Sequence, residues 1–131
     1  MADSRKRIVE APRKRRSPEL QQVRVLVLPD PDPDPSYLDQ EEFTDRREAY
    51  RRGDLAFVGI RAEAKIVVDG ILQTIVSGGL WGVESDAGDA YIREVAGEEY
   101  TDLRRILKTL GVPTSDLPND VDPSWIEWRT E

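Results

Sequence analysis

Three carboxylates, Glu84, Asp86 and Asp89, stand close together where a strand-like pattern gives way to a helical one. Carboxylates joined by backbone carbonyls are the oxygen ligands that Mg²⁺ and Ca²⁺ prefer. The spacing is not that of an EF-hand loop, and Asp86 and Asp89 are also what a helix start wants, through capping and the macrodipole. Capping is therefore the preferred reading and no metal ligand is assigned. The 131-residue chain has no cysteine and no histidine. That removes the disulfide scaffold, the thiolate nucleophile, the imidazole base and the ordinary zinc site. No P-loop, GxGxxG or GxSxG motif occurs, and SGGLWG is neither a phosphate cradle nor a dinucleotide fingerprint. No catalytic residue and no cofactor is expected. A metal-dependent enzyme at the acidic loop stays as the second alternative.

The other chemistry on offer is recognition. Arg5, Lys6, Arg7, Arg13, Lys14, Arg15 and Arg16 face only Asp3 and Glu10 within residues 1–18, a net +5. The chain total is −7, so the remainder carries −12. Two basic clusters of this kind can neutralise phosphates by displacing counterions, without reading bases. Pro12 and Pro18 break any helix there, and only Ile8 and Val9 offer an apolar anchor, so residues 1–20 read as a disordered basic arm. The acidic remainder suits a partner with a basic surface, including by mimicry of nucleic acid. Trp81, Trp125 and Trp128 are the candidate docking side chains, because tryptophan is enriched at interface hot spots. For Trp125 and Trp128, packing back onto the chain's own domain competes with docking and is preferred, since two tryptophans near a terminus are poorly left in water.

These residues need elements to place them. Val23 to Leu28 is a β-branched run closed by Pro29, a strand buried on at least one face. Pro29 to Pro35 alternates proline and aspartate, which fixes φ and extends the chain, and reads as a stiff hydrated linker. A surface helix follows, with Ser36 and Asp39 as N-cap oxygens, Arg51 and Arg52 late, Gly53 as C-cap and a thin stripe of Leu38, Phe43 and Tyr50. From Val58 to Val68 the chain alternates, with Val58, Ile60, Ala62, Ala64, Ile66 and Val68 on one side. Asp69-Gly70 then supplies a type I′ turn that pairs Val68 with Ile71, Ala64 with Ile75 and Glu63 with Val76. Gly78 and Gly79 should mark a bulge or a close backbone approach before Trp81 and Val83 resume the pattern.

Asp89 to Leu110 forms the longest helix, with Ile92, Val95, Ala96, Leu103, Ile106, Leu107 and Leu110 in one stripe. Glu99 falls inside that stripe, so it must snorkel, meet a cation such as Arg61 or Lys65, or shift its pKa. The order β-α-β-β-α predicts an α+β fold, a small mainly antiparallel sheet of about three strands with two helices packed on it. The expected divisions are an arm at 1–20, a single domain at 21–111 and a proline- and tryptophan-containing tail at 112–131.

The stretch from Val23 to Val112 resembles a family of small uncharacterised bacterial proteins also met in phages and plasmids, with SGGLWGVESD its most distinctive string. The resemblance implies a bacterial cytosolic setting and a mobile-element origin. It transfers no activity and no catalytic residue. No apolar run approaches the roughly 20 residues of a membrane span, and no signal-peptide h-region follows the basic N-terminus. The expectation is a cytoplasmic, non-enzymatic accessory factor that binds a protein partner, with an anti-defence role among the possibilities. Nucleic-acid binding through the arm is the alternative, and a homodimer is compatible with the mixed outer face of the sheet.

Overall fold

The computed structural model describes residues 18–130. Its order is β1 (Glu19–Pro29), α1 (Thr44–Arg52), β2 (Phe57–Val68), β3 (Ile71–Val76), β4 (Leu80–Glu84), α2 (Asp89–Thr109) and β5 (Ile126–Trp128). The α+β class and the mainly antiparallel sheet are as expected, but the sheet has five strands rather than about three. β2 is the spine. One side of it pairs antiparallel with β1, and the other pairs first with β3 and then, nearer its start, with β4. β5 lies parallel to β1 on the far edge.

The Asp-Gly turn determines the hairpin. Asp69 and Gly70 both take positive φ, 50° and 78°, which matches the twist of the flanking strands. The register is the one expected, from Val68 opposite Ile71 to Glu63 opposite Val76. The irregularity foreseen at Gly78 and Gly79 is a full break between β3 and β4. The bulge falls just beyond it, where Trp81 and Gly82 together oppose Gly59, between the pairs Ile60–Leu80 and Val58–Val83.

Alternation along β1 and β2 creates two different faces. Val25, Val27, Val58, Ile60, Ala62, Ala64 and Ile66 form one apolar face, and α2 covers it with Ile92, Val95, Ala96, Leu103 and Leu107. Tyr100, absent from the expected stripe, is fully buried. Leu110, included in it, is exposed beyond the end of the helix. α1 does not share this face. Tyr50 of α1 and Tyr37 just before it pack edge-on to Phe57 at 5.3 and 6.1 Å, on the opposite side of the sheet.

Segment 30–56 is tighter than a linker. Two 3₁₀ turns, Ser36–Asp39 and Glu41–Phe43, precede α1, which starts five residues later than Asp39 and has no side-chain N-cap. Gly53 ends it in the left-handed conformation as expected. β1 begins at Glu19, before the apolar run, because the long β2 offers ladder partners back to Val67. Glu19 and Leu20 are thus strand, not arm.

The C-terminal stretch belongs to the same body. Leu117, Val121 and Ile126 pack against the core, and Val112 is buried within it. The Tyr100 hydroxyl donates to the Pro118 carbonyl at 2.5 Å, and Trp125 meets the Tyr100 ring edge-on at 5.6 Å. A three-residue strand cannot stand alone. β5 exists because β1 presents an open edge and α2 presents Tyr100.

Candidate functional site

Glu99 is resolved by donors, not by a cation. Its Oε1 accepts from Ser77 Oγ at 2.8 Å and from the Gly79 amide at 2.7 Å. Ser77 is buried and stands at the strand break. Its amide donates to the Ala62 carbonyl and its Oγ accepts from the Ala62 amide, both at 2.9 Å. Ser77 thereby replaces the ladder partner that β2 would otherwise lose, which satisfies a buried backbone pair. Glu99 ties this junction to α2, so SGG serves as a latch between sheet and helix.

The acidic trio is divided. Arg46 of α1 binds both Glu84 and Asp86, with Asp86 Oδ1 at 2.6 Å, and the Tyr37 hydroxyl donates to the other oxygen of Glu84. Burial first, then the hydrogen bond and charge of Glu84, push the Tyr37 hydroxyl up to about 12. The Arg46 hydrogen bond holds Asp86 below the usual carboxylate range. Asp89 sits in the first turn of α2, where it favours the macrodipole, while the N-cap itself is Gly88 with no side-chain bond. Asp86 is therefore an ion-pair partner rather than a cap. Among the described residues no group of three or more His, Cys, Asp or Glu side chains is placed to hold a metal ion.

The second cluster lies on the sheet face away from α2. Glu63 is 4% exposed. Arg24 reaches its Oε1 through Nη2 at 2.7 Å and Nε at 3.2 Å, with Lys65 and Arg61 each at 3.7 Å. Burial raises the Glu63 pKa, but the hydrogen bonds and charge of Arg24, aided by Lys65 and Arg61, outweigh it and hold the carboxyl below its ordinary value. Arg24 also faces Glu127 of β5 at 3.6 Å. This is a structural ion-pair network that clips three strands together.

Trp81 has the geometry of a docking residue. Its ring lies flat against Gly59, where a Cβ would come within 1.9 Å of ring atom Cε3. Only glycine allows that approach. The indole Nε1 donates to the Gly78 carbonyl at 3.2 Å, and the side chain remains 38% exposed. A groove of about 440 Å³ runs along one side, lined by Asp30, Pro31, Asp32, Asp34, Trp81 and Gly82. A second borders Tyr37, Leu80, Val83, Glu84 and Tyr91. Asp30 holds this corner together, accepting from the Gly82 amide and from the Asp32 amide, each at 2.9 Å. Ser36 lowers the Asp34 pKa, first through its side chain and then through its amide, which donates to Asp34 at 3.1 Å. Among the described residues nothing donates such a bond to the Asp32 carboxylate.

The three tryptophans do not converge. Trp81 is on the β4 edge, whereas Trp125 is committed to Tyr100 and Trp128, 52% exposed, is on the β5 edge. The basic residues Arg5, Lys6, Arg7, Arg13, Lys14, Arg15 and Arg16 lie outside the described residues. Sequence reasoning missed Asp30, Asp32 and Asp34 as groove walls. The available signal was Gly59, a lone glycine interrupting an alternating strand, which marks a close approach by another group. No helix among the described residues is long and apolar enough to cross a membrane. Comparison with protein-family models, with curated proteins and with solved structures returned no match to this chain.

Proposed function

We propose that this chain is a non-catalytic binding protein that docks a basic segment of a partner protein against Trp81. The observation that carries the reading is Trp81 itself, a rigidly seated, partly exposed indole walled by Asp30, Asp32 and Asp34 on one side and by Glu84 on the other. An aromatic face beside carboxylates favours a lysine or arginine side chain, through cation–π attraction and charge pairing together. The −12 balance outside the arm adds long-range attraction for a basic partner. A nucleic-acid-handling or defence protein with a basic groove has the required chemistry. The polar clusters around Glu63 and around Arg46 are tied up in ion pairs within the chain, which supports binding over catalysis.

Calorimetric titration of the full chain with an arginine- and lysine-rich peptide tests the reading. Binding should weaken as salt rises. Trp81→Ala should weaken it about tenfold, the scale of a modest hot spot, and Asp32→Asn with Asp34→Asn should flatten the salt dependence. No heat at low ionic strength, or affinity indifferent to Trp81→Ala in a folded protein, would sink it.

A further inference from the structure

We propose that the β3 edge is a self-association surface, at which two copies of the chain pair β3 with β3 antiparallel about Thr74 and join their sheets into one. The two edges of the sheet differ in a way that calls for this. β5 is three residues long, carries Glu127, and is flanked by Pro123 and Arg129, devices that blunt an edge against pairing. β3 has six residues, Ile71–Val76, without a charge, a proline or a glycine, and five of the six are exposed. It belongs to the longest uncharged run in the chain, Gly70 to Val83. Ile71 and Leu72 are about 60% exposed, at 61% and 60%. Among the described residues, nothing pairs with its outer side.

The hairpin decides which backbone groups are on offer. In a two-residue turn the flanking pair, Val68 and Ile71, is the hydrogen-bonded one. Ile71, Gln73 and Ile75 therefore bond inward to β2, while Leu72, Thr74 and Val76 direct their amides and carbonyls outward. An antiparallel mate bonds outward residues to outward residues. With a second copy this happens about Thr74, setting Thr74 against its own symmetry mate and Leu72 against Val76 of the other copy. That register is chemically self-complementary. It makes one Thr–Thr and two aliphatic cross-strand pairs, all on the face that carries Val67, and sets no charge opposite its like. β3 itself is uncharged, and the nearest charge is Lys65, whose Nζ donates to Thr74 Oγ1 at 2.8 Å and stands 3.7 Å from the Glu63 carboxylate, so the ammonium beside the central pair is already partnered within each copy.

Because the chain lacks cysteine, single cysteines can read the register. Thr74→Cys places two thiols in a hydrogen-bonded pair, about 5.5 Å between Cα atoms, within disulfide reach. It should cross-link to a covalent dimer on mild oxidation. Leu72→Cys, offset from its mate by roughly 13 Å along the strand, should not. Sedimentation of the untagged full chain should show a concentration-dependent dimer. Thr74→Pro removes an outward amide, a change an edge strand tolerates, together with the hydroxyl that accepts from Lys65, and should yield a folded monomer by circular dichroism and sedimentation. Thr74→Val keeps the amide and should remain dimeric. A monomer at all concentrations, a dimer that survives Thr74→Pro, or cross-linking of Leu72→Cys as readily as Thr74→Cys would each overturn the proposal. Binding of the basic peptide at Trp81 is read separately and does not depend on the outcome.

Discussion

The two faces of the sheet hold themselves together by opposite means. Against α2 the contact is dry, made from valine, isoleucine, alanine and leucine with Tyr100 closing one end. On the other face, Glu63 and Glu84 are each bound by arginine, and among the described residues only the end near Phe57 is covered. Apolar burial is non-directional and scales with area, whereas a buried carboxylate is tolerated only while its partner remains. The α2 face therefore carries stability, and the opposite face carries position and pH sensitivity.

The largest expected effect tests the dry face. Leu103 is fully buried, so Leu103→Ala should cost about 3 kcal/mol in urea unfolding, through lost transfer energy and a cavity. Leu110→Ala, past the helix end and exposed, should change stability by less than about 0.5 kcal/mol. Equal losses would erase the distinction between stripe and surface.

The charged face should respond next. Arg24→Ala strands the Glu63 carboxylate, with only the more distant Lys65 and Arg61 left, and should cost about 2 kcal/mol. Its mark is pH dependence. The folded pKa of Glu63 is depressed, so its contribution is present above the unfolded value of about 4.3. It is lost as pH falls through the lower folded value. Urea midpoints of the parent should drop across that acid window, and Glu63→Gln should flatten the drop. An unchanged acid profile in Glu63→Gln would show that other carboxylates govern it.

The smallest effect is at the rim. Tyr37→Phe removes a hydrogen bond to Glu84 at a half-open site and should cost about 1 kcal/mol. Burial raises Tyr100 as well, so ultraviolet titration of the parent against Tyr37→Phe should find a phenol, lost in the variant, that is still protonated near pH 11, since Tyr37 is raised to about 12. That raised value places its contribution fully below the unfolded pKa of about 10. It is lost as pH climbs through the folded value. Absence of the late phenol in the parent titration would detach Tyr37 from Glu84.

Local rules were legible where neighbours in sequence decide. The alternation of β2, the Asp-Gly turn and each pair down to Glu63–Val76 follow from a period of two and a two-residue turn. The late Arg51 and Arg52 and the Gly53 C-cap of α1 were legible in the same way, whereas Asp39, expected at its start, lies in a 3₁₀ turn before it. Glu99 was recognisable as a residue needing a solution. Its actual partners, Ser77 and the Gly79 amide, depend on where the sheet breaks beneath α2, a contact between segments about twenty residues apart. The carboxylates Glu84 and Asp86 looked like a helix start because Arg46, far upstream, was invisible as their partner.

What the amino-acid order settled is thus whatever has a short physical range: periodicity, turn chemistry, charge segregation and the lack of cysteine and histidine. Tertiary structure alone decided that α1 and α2 take opposite faces, that Ile126–Trp128 becomes a parallel fifth strand, and that an aspartate-rich run becomes the wall of a tryptophan groove. Those outcomes depend on which open edge or apolar face is nearest once the sheet has formed. A three-residue strand or a lone arginine has no preference strong enough to announce its partner beforehand.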